Sequence, residues 1–194
     1  MDIRKVCVYC ASSTKVDGDY YTEAKLLGEE LAKNGIETIY GGGSVGLMGR
    51  LADSVLENDG KIKGIIPHFM QELEWGHKGL TKLILVNDMH ERKKKMIENT
   101  DAVIALPGGT GTLEELFEAI TMKRLGLYLS PIILVNTNGF YKPLIEMLEK
   151  MVNENFLRRE HLKMWTVVNN AKDIIKTIKT IPQWDKNAIS FAAV

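Results

Sequence analysis

Short runs of apolar residues alternate along the whole chain with longer stretches in which apolar residues recur at helical spacing. Several of the short runs are apolar throughout, which is typical of parallel strands covered on both faces. Their alternation with helices predicts parallel strands joined by helical crossovers. The predicted strands are residues 6–9, 37–40, 63–66, 83–86, 102–106 and 132–135.

The helical pattern is clearest after the first strand, where Tyr20, Ala24, Leu27 and Leu31 share one face and Gly35 stands at the position of a left-handed cap. Further helices are predicted over residues 47–58, 90–99, 113–127, 141–155 and 171–180. These elements predict an α/β fold with a doubly wound, mostly parallel, Rossmann-like sheet and helices on both faces. We expect a single domain over residues 1–181 and a peripheral C-terminal tail over residues 182–194.

Charge and hydrophobicity exclude several classes of partner. Lysine plus arginine and aspartate plus glutamate both number 25, so the formal net charge is zero and no broad basic field exists to hold a nucleic acid. The apolar runs are too short to cross a bilayer, and the N-terminal segment does not resemble a signal peptide. We therefore expect a cytoplasmic protein with no membrane or nucleic-acid partner, in which any phosphate is bound locally.

Two cysteines occur, Cys7 and Cys10, with the spacing of a thiol-disulfide motif but within a predicted strand. An odd separation along a strand points two side chains to opposite faces, so a disulfide would require a local bend. We expect both thiols to be buried and reduced, as is usual in the cytosol.

Ligands of doubly wound sheets bind beyond the carboxyl ends of the strands, where adjacent loops part. Four loops that follow predicted strands are chemically unusual, and they contain residues 11–14, 41–44, 89–93 and 107–112. The candidate site is therefore sought among these loops.

The turn from Gly41 to Gly46 has the glycine spacing of a dinucleotide fingerprint between a strand and a helix. That fingerprint normally follows the first strand and is completed by an acidic residue about twenty positions on. The corresponding strand here ends Ile66-Pro67-His68, without a carboxylate. A dehydrogenase is thereby disfavoured, and the glycines are also compatible with a simple tight turn.

The segment from Pro107 to Glu115 places three glycines and two threonines between a buried strand and an amphipathic helix. Glycines let the backbone approach an anion, and the free N–H groups at a helix start bind negative charge. No Lys-Ser or Lys-Thr pair follows, so this is not a P-loop. An alternative interpretation is structural, because Thr112 and Glu115 have the spacing of a capping box.

Four consecutive cations, residues 92–95, follow the fourth predicted strand and its short turn. Such a cluster on a helix is usually a solvated face. On local chemistry alone, neither Arg92 nor Lys93 is assigned a function.

Taken together, these segments resemble the LOG family, whose older label is lysine decarboxylase. The identifying pair of motifs is Pro-Gly-Gly-x-Gly-Thr-x-x-Glu, here residues 107–115, and an upstream Arg-Lys after methionine, here residues 89–93. The similarity extends over about residues 6–141 and includes Cys-Val-Tyr-Cys-Ala-Ser-Ser and Tyr-Gly-Gly-Gly-Ser-Val-Gly-Leu-Met-Gly.

The resemblance implies hydrolysis of the N-glycosidic bond of AMP or an N6-modified AMP, without a metal or organic cofactor, in a homodimer whose site lies near the interface. The catalytic pair falls on Arg92 and Glu115. Substrate-binding positions fall on Glu74, Arg92, Lys93, Gly109, Thr110, Gly111, Thr112, Leu113, Glu114, Glu115 and Thr121. Candidates for a phosphate loop are Gly42, Gly43, Ser44 and Gly108.

In the hypothesis for the mechanism, the negative charge of Glu115 supports the positive charge that grows on the ribose, as in glycoside hydrolysis, and Arg92 anchors the substrate. The chain departs from relatives at Met122, where tryptophan is frequent, and at Ser130-Pro131, where Lys-Pro is frequent, which bears on base preference. The older label would require a lysine that forms a Schiff base with pyridoxal phosphate, and the motifs supply none. The rival interpretation is a non-catalytic carrier or sensor, such as a molybdenum-cofactor carrier.

Overall fold

Seven parallel strands form one sheet in the computed structural model, which describes residues 2–71 and 76–193. They are β1 (Lys5–Tyr9), β2 (Glu37–Tyr40), β3 (Ile62–Pro67), β4 (Lys82–Val86), β5 (Ala102–Ala105), β6 (Ile132–Val135) and β7 (Thr166–Val168). Their order across the sheet is β4-β3-β2-β1-β5-β6-β7, and every pairing is parallel.

Helices cover both faces of this sheet. They are α1 (Gly18–Lys33), α2 (Gly46–Glu57), α3 (His68–Gln71), α4 (Met89–Ile97), α5 (Thr110–Arg124), α6 (Lys142–Asn153) and α7 (Ile174–Thr180). Short 3-10 helices occur at Thr137–Gly139, Arg159–Met164, Ala171–Asp173 and Ala188–Phe191. Within the described ranges, no helix is long and apolar enough to span a membrane.

Two apolar cores, one on each face, confirm the predicted doubly wound α/β class. On one face, α1, α2 and α7 pack against alternate side chains of the strands, including Val6 and Val8. On the other face, α4, α5 and α6 pack against the intervening side chains, such as Cys7 and Val103. Because parallel strands are buried on both sides, the sequence shows continuous apolar runs there.

Most predicted elements lie within one or two residues of those observed, and Gly35 adopts the expected positive φ of 67°. Three differences matter. The sequence pattern did not predict the three-residue strand β7 or the four-residue helix α3, because such short elements show no measurable periodicity. Helix α5 begins at Thr110, three residues before its predicted start.

The two cysteines lie on opposite faces of the sheet, as the strand geometry predicts. Cys7 belongs to the core beneath α5, whereas Cys10, just after β1, belongs to the core beneath α1 and α2. Both are buried free thiols, and burial raises the pKa of each well above the usual range.

The sheet reverses its order of connection between β1 and β5. These two strands are neighbours, with Tyr9 paired to Ala105. The chain leaves β1 towards the face of α1 and leaves β5 towards the face of α5. Their loops therefore part at the carboxyl edge of the sheet, which is where ligands bind in this class of fold.

Residues 182–193 follow α7 and pack against the C-terminal end of α5. Trp184 donates its backbone N–H to the carbonyl of Leu129, and Arg124 Nε donates to the carbonyl of Ala192. Ala188 is fully buried, so this tail has fixed contacts with the domain.

Candidate functional site

A cleft of about 350 Å³ opens at the point where the loops after β1 and β5 part. One wall is formed by the chain after β1 and the other by the first turns of α5, while Gly41 and residues of α3 and α4 line its base. The lining residues are Val8, Tyr9, Cys10, Ala11, Ser12, Ser13, Gly41, Met48, Met70, Met89, Arg92, Gly109, Thr110, Gly111, Thr112, Glu114 and Glu115.

The N-terminus of α5 supplies the part of this cleft that is suited to an anion. Its N-cap is Gly109, and the first hydrogen bond of the helix runs from the N–H of Leu113 to the carbonyl of Gly109. The N–H groups of residues 110–112 therefore make no hydrogen bond within the helix. They lie at the positive end of the helix dipole. A Cβ added at Gly109 or Gly111 would meet no atom within 4 Å, so a ligand can approach the backbone closely there.

The capping-box interpretation of Thr112 and Glu115 is wrong. Because α5 begins at Thr110, Thr112 lies inside the first turn, and the N-cap is a glycine without a side-chain hydrogen bond. Both side chains are instead buried against the cleft, with Glu115 only 8% exposed. A buried carboxylate in a cleft needs a reason other than capping, since its desolvation is costly.

Glu115 faces a guanidinium. Its Oε1 lies 4.0 Å from Nη2 of Arg92, and both side chains are almost fully removed from solvent. The charge of Glu115 also raises the pKa of the Cys10 thiol, after the larger effect of burial. The two residues assigned as a catalytic pair from the sequence are therefore brought together in one cleft.

Arg92 is held in place by backbone groups from two strands. Its Nε donates to the carbonyl of Ile65 on β3 at 3.2 Å, and its Nη2 donates to the carbonyl of Gly41 after β2 at 3.3 Å. Asp88 caps the N-terminus of α4 by accepting from the N–H of Glu91, which fixes the turn that carries Arg92. At 6% exposure Arg92 is not part of a solvated face, whereas Lys94 two residues later is exposed.

Gly41 leaves room for this guanidinium because it has no side chain. A Cβ at Gly41 would lie 2.4 Å from Nη2 of Arg92, far inside van der Waals contact. Glycine is therefore required at this position so that Arg92 can reach the Gly41 carbonyl.

We predict that Gly41→Ala lowers kcat/KM by about tenfold to a hundredfold, because the guanidinium must shift by a large fraction of an ångström. Steady-state kinetics with AMP, the substrate that the motif resemblance predicts, measure the effect. Gly18→Ala is the matched control, since its Cβ would meet no atom within 4 Å and Gly18 lies at the start of α1, outside the cleft. Equal activity of the two variants would contradict the positioning role.

The rim of the cleft carries an ion-pair network between α4 and α5. Nζ of Lys93 contacts Glu114 and lies 3.2 Å from Oε2 of Glu118. The hydrogen bond that Lys93 donates to Glu114 raises the pKa of Lys93, so this ammonium is held protonated. A substrate phosphate that binds Lys93 has to compete with these two carboxylates.

Several residues predicted from the sequence do not line the cleft. Gly42 and Gly43 are buried behind Gly41, where Gly42 accepts from the N–H of His77 and Gly43 pairs with Gly76. Ser44 lies in a neighbouring cavity with Asp53 and His77. Of residues 41–44, Gly41 thus lines the cleft, whereas the predicted phosphate-loop residues Gly42, Gly43 and Ser44 face the loop over residues 76–79.

Three further predicted positions, Gly108, Leu113 and Thr121, are described by the structure and lie outside the lining of the cleft. Gly108 packs beneath Thr112, since its Cβ would lie 2.1 Å from Thr112 Oγ1. Leu113 packs against the core, and Thr121 is exposed on the outer face of α5, about 9 Å beyond Glu115 along the helix axis. Glu74 lies outside the described residues.

Sequence reasoning missed three methionines, Met48, Met70 and Met89, that line the cleft. Met89 precedes Arg92 by three positions on a helix, a spacing that places both on one face and could have identified it. For Met70 no sequence signal existed, because α3 is too short to be predicted.

No lysine of the cleft suits Schiff-base chemistry, which requires a deprotonated amine. Lys93 is held protonated, as described above. Burial lowers the pKa of Lys123 to about 8, but its Nζ donates to the carbonyl of Ser130 about 12 Å beyond Glu115 along α5. Across residues 2–71 and 76–193, no three His, Cys, Asp or Glu side chains form a group that could hold a metal ion.

The fold and the cleft define a doubly wound α/β protein with an anion-binding helix terminus and a buried carboxylate–guanidinium pair at the point where the sheet reverses its order. Residues 48–178 match the model of a family described as possible lysine decarboxylase. The chain belongs to this family, which is the LOG family.

Curated relatives share more than a third of its residues. The chain is 38% identical over 175 residues to a probable cytokinin riboside 5′-monophosphate phosphoribohydrolase of Oryza sativa subsp. japonica. The aligned region covers 90% of this chain and 78% of the relative. It is 37% identical over 184 residues to a cytokinin riboside 5′-monophosphate phosphoribohydrolase of Arabidopsis thaliana. This alignment covers 94% of this chain and 85% of that relative. The family assignment from the sequence motifs is confirmed.

Solved structures with the same fold are more distant in sequence. The molybdenum cofactor carrier protein of Chlamydomonas reinhardtii superimposes with a TM-score of 0.71 at 17% identity, over 92% of this chain and 98% of that protein. The molybdenum cofactor binding protein of Rippkaea orientalis superimposes with a TM-score of 0.69 at 21% identity, over 93% of this chain and 98% of that protein. These likenesses establish the architecture alone.

Proposed function

We propose that this protein hydrolyses the N-glycosidic bond of a purine nucleoside 5′-monophosphate, AMP or an N6-modified AMP, to the free base and ribose 5-phosphate. The observation that carries the proposal is the buried Arg92–Glu115 pair beside the N-terminus of α5 within one cleft. The curated relatives are named as phosphoribohydrolases of cytokinin riboside 5′-monophosphate, and this supports the proposal.

The 5′-phosphate binds at the N–H groups of residues 110–112, where backbone donors and the helix dipole favour an anion. Glu115 lies one turn further along the same helix, about 5 to 7 Å from those donors by helical rise. That spacing places its carboxylate beside the ribose of a nucleotide whose phosphate occupies the helix terminus.

During hydrolysis the bond from C1′ to the base nitrogen breaks and positive charge grows on the sugar ring. The carboxylate of Glu115 stabilises that charge and activates the water that adds its hydroxyl to C1′, while the departing base takes up a proton. Arg92 anchors the nucleotide and orients Glu115 through the ion pair between their side chains. These steps use water and protein side chains, so we propose no metal or organic cofactor.

We also propose a homodimer with the site near its interface. Thr121 is exposed on the outer face of α5, and its helical neighbours Phe117 and Met122 are apolar and only half-buried. A partner packed on that face would bring Thr121 towards a second cleft. A cytoplasmic location is proposed on the two buried reduced thiols, which are typical of a reducing compartment.

The function is tested by incubation with AMP, followed by chromatography of the products. We expect adenine and ribose 5-phosphate in equal amounts. Adenosine should react with a kcat/KM lower by about a hundredfold or more, because it lacks the charged group that the helix terminus binds.

Parallel assays with GMP, CMP and isopentenyl-AMP define the range of bases. Binding of AMP without adenine release would instead support a carrier. Comparable turnover of adenosine and AMP would contradict the assigned role of the helix terminus.

A further inference from the structure

Two methionine sulfurs flank the free side of the Arg92 guanidinium. Sδ of Met70, on α3, and Sδ of Met89, the first residue of α4, each lie 3.8 Å from Nη1. The opposite side of the guanidinium is occupied by the carbonyls of Ile65 and Gly41. Among the described residues, the acceptors that Nη1 contacts are these two thioethers, which are weak ones.

Both thioethers are also accessible from the cleft. Met70 and Met89 are half-buried and line the opening in which a nucleotide would bind. The third methionine of the cleft, Met48, is 5% exposed and is therefore shielded by comparison. A small oxidant that enters the cleft meets the sulfurs of Met70 and Met89 next to a charged donor.

We propose that Met70 and Met89 form an oxidation site, and that their conversion to sulfoxides by a peroxide reversibly inactivates the cleft. This inference rests on the proposed function for its activity readout. It assigns to the two methionines a modification chemistry that the hydrolytic mechanism does not use.

The oxidation balances with hydrogen peroxide as the co-reactant. A sulfur lone pair attacks one peroxide oxygen, the O–O bond breaks and an S–O bond forms. Sulfur loses two electrons, and the departing hydroxide takes the proton from the new S–OH group to leave as water. A methionine sulfoxide reductase with a thiol reductant reverses the change.

The sulfoxide changes the hydrogen bonding of Arg92. A sulfoxide oxygen is polar and a far stronger acceptor than a thioether. Placed beside Nη1, it forms a charge-assisted hydrogen bond that draws the guanidinium away from Glu115 and from the substrate. The added oxygen also occupies part of a cleft of only about 350 Å³. Substrate binding and catalysis should both decline.

The experiment treats the full-length protein with graded hydrogen peroxide and follows three readouts: peptide masses, release of adenine from AMP, and AMP affinity by calorimetry. We expect activity to fall by about tenfold to a hundredfold in step with oxidation of Met70 and Met89, as loss of one charged hydrogen bond predicts. A sulfoxide reductase should restore it. The variant Met70→Leu/Met89→Leu, compared with its own untreated sample, should resist the treatment.

Met147 is the matched control, because it is 51% exposed on α6 and lies outside the cleft. It should oxidise early without loss of activity, and Met147→Leu should remain as sensitive as the parent. Equal sensitivity of the double variant and the parent would overturn the proposal, as would full oxidation of Met147 with Met70 and Met89 unmodified.

If the untreated protein releases no adenine, the proposed hydrolase function is wrong, and this result does not decide the oxidation proposal. In that case the proposal is decided by AMP affinity. A fall in affinity that tracks the two sulfoxides supports it, and an unchanged affinity overturns it.

Discussion

Glu115→Gln should reduce the release of adenine from AMP by about a hundredfold to ten-thousandfold, while AMP still binds with nearly the parent affinity. The substitution keeps the size of a side chain that is 8% exposed in the cleft, and removes its charge and its capacity as a base. The proposed phosphate site at residues 110–112 consists of backbone groups, which this substitution leaves unchanged. Rapid-quench kinetics and calorimetry with AMP separate the two effects.

Glu118→Gln provides the matched control, since it removes a carboxylate one turn further along α5. Glu118 lies outside the cleft lining and pairs with Lys93 at the rim. Its loss should change kcat/KM by no more than about threefold, as expected for a partly exposed ion pair. Near-parent turnover of Glu115→Gln would eliminate the assigned role of this carboxylate.

Arg92→Ala should weaken both AMP binding and turnover, lowering kcat/KM by about a thousandfold, because an anchor and an electrostatic partner are lost together. Arg92→Lys should recover little of this loss. A lysine carries the charge but lacks the planar fork that reaches the carbonyls of Ile65 and Gly41 and the carboxylate of Glu115.

Removing Arg92 also leaves Glu115 as a buried charge without its guanidinium, which costs about 3 to 5 kcal/mol of folding stability in comparable sites. Thermal unfolding of each variant is therefore measured first, and Arg92→Lys serves as the variant that retains the charge. Lys94→Ala, on the same helix but exposed, is the matched control and should behave as the parent. An unchanged kcat/KM in Arg92→Lys would show that charge alone suffices and that the fork is not used.

The strands and longer helices were predictable because their side chains repeat with the period of the element. For α1, the recurrence of Ala24, Leu27 and Leu31 and the cap at Gly35 both agree with the structure. The short strand β7 and helix α3 have no such period, and only packing against β6 and β3 defines them.

The start of α5 shows where local rules are insufficient. Thr112 and Glu115 satisfy the spacing of a capping box, yet the helix begins at Thr110, three residues before the start that such a box would give. Glu115 instead takes part in a tertiary contact, because it faces Arg92 of α4. A local cap and a site residue are indistinguishable in the sequence when both use a carboxylate in the first turn.

The sequence by itself determined the class of fold, the carboxyl-edge loops and, through its motifs, the family and the candidate pair Arg92 and Glu115, since each depends on periodicity or on residues close in the chain. The tertiary structure alone decided that Gly41 rather than Gly42, Gly43 or Ser44 lines the cleft, and that Met70 and Met89 flank the guanidinium. These contacts join α3, α4 and the ends of β2 and β3. The distances between these side chains are set by the packing of elements that are remote in sequence, and no local sequence pattern encodes that packing.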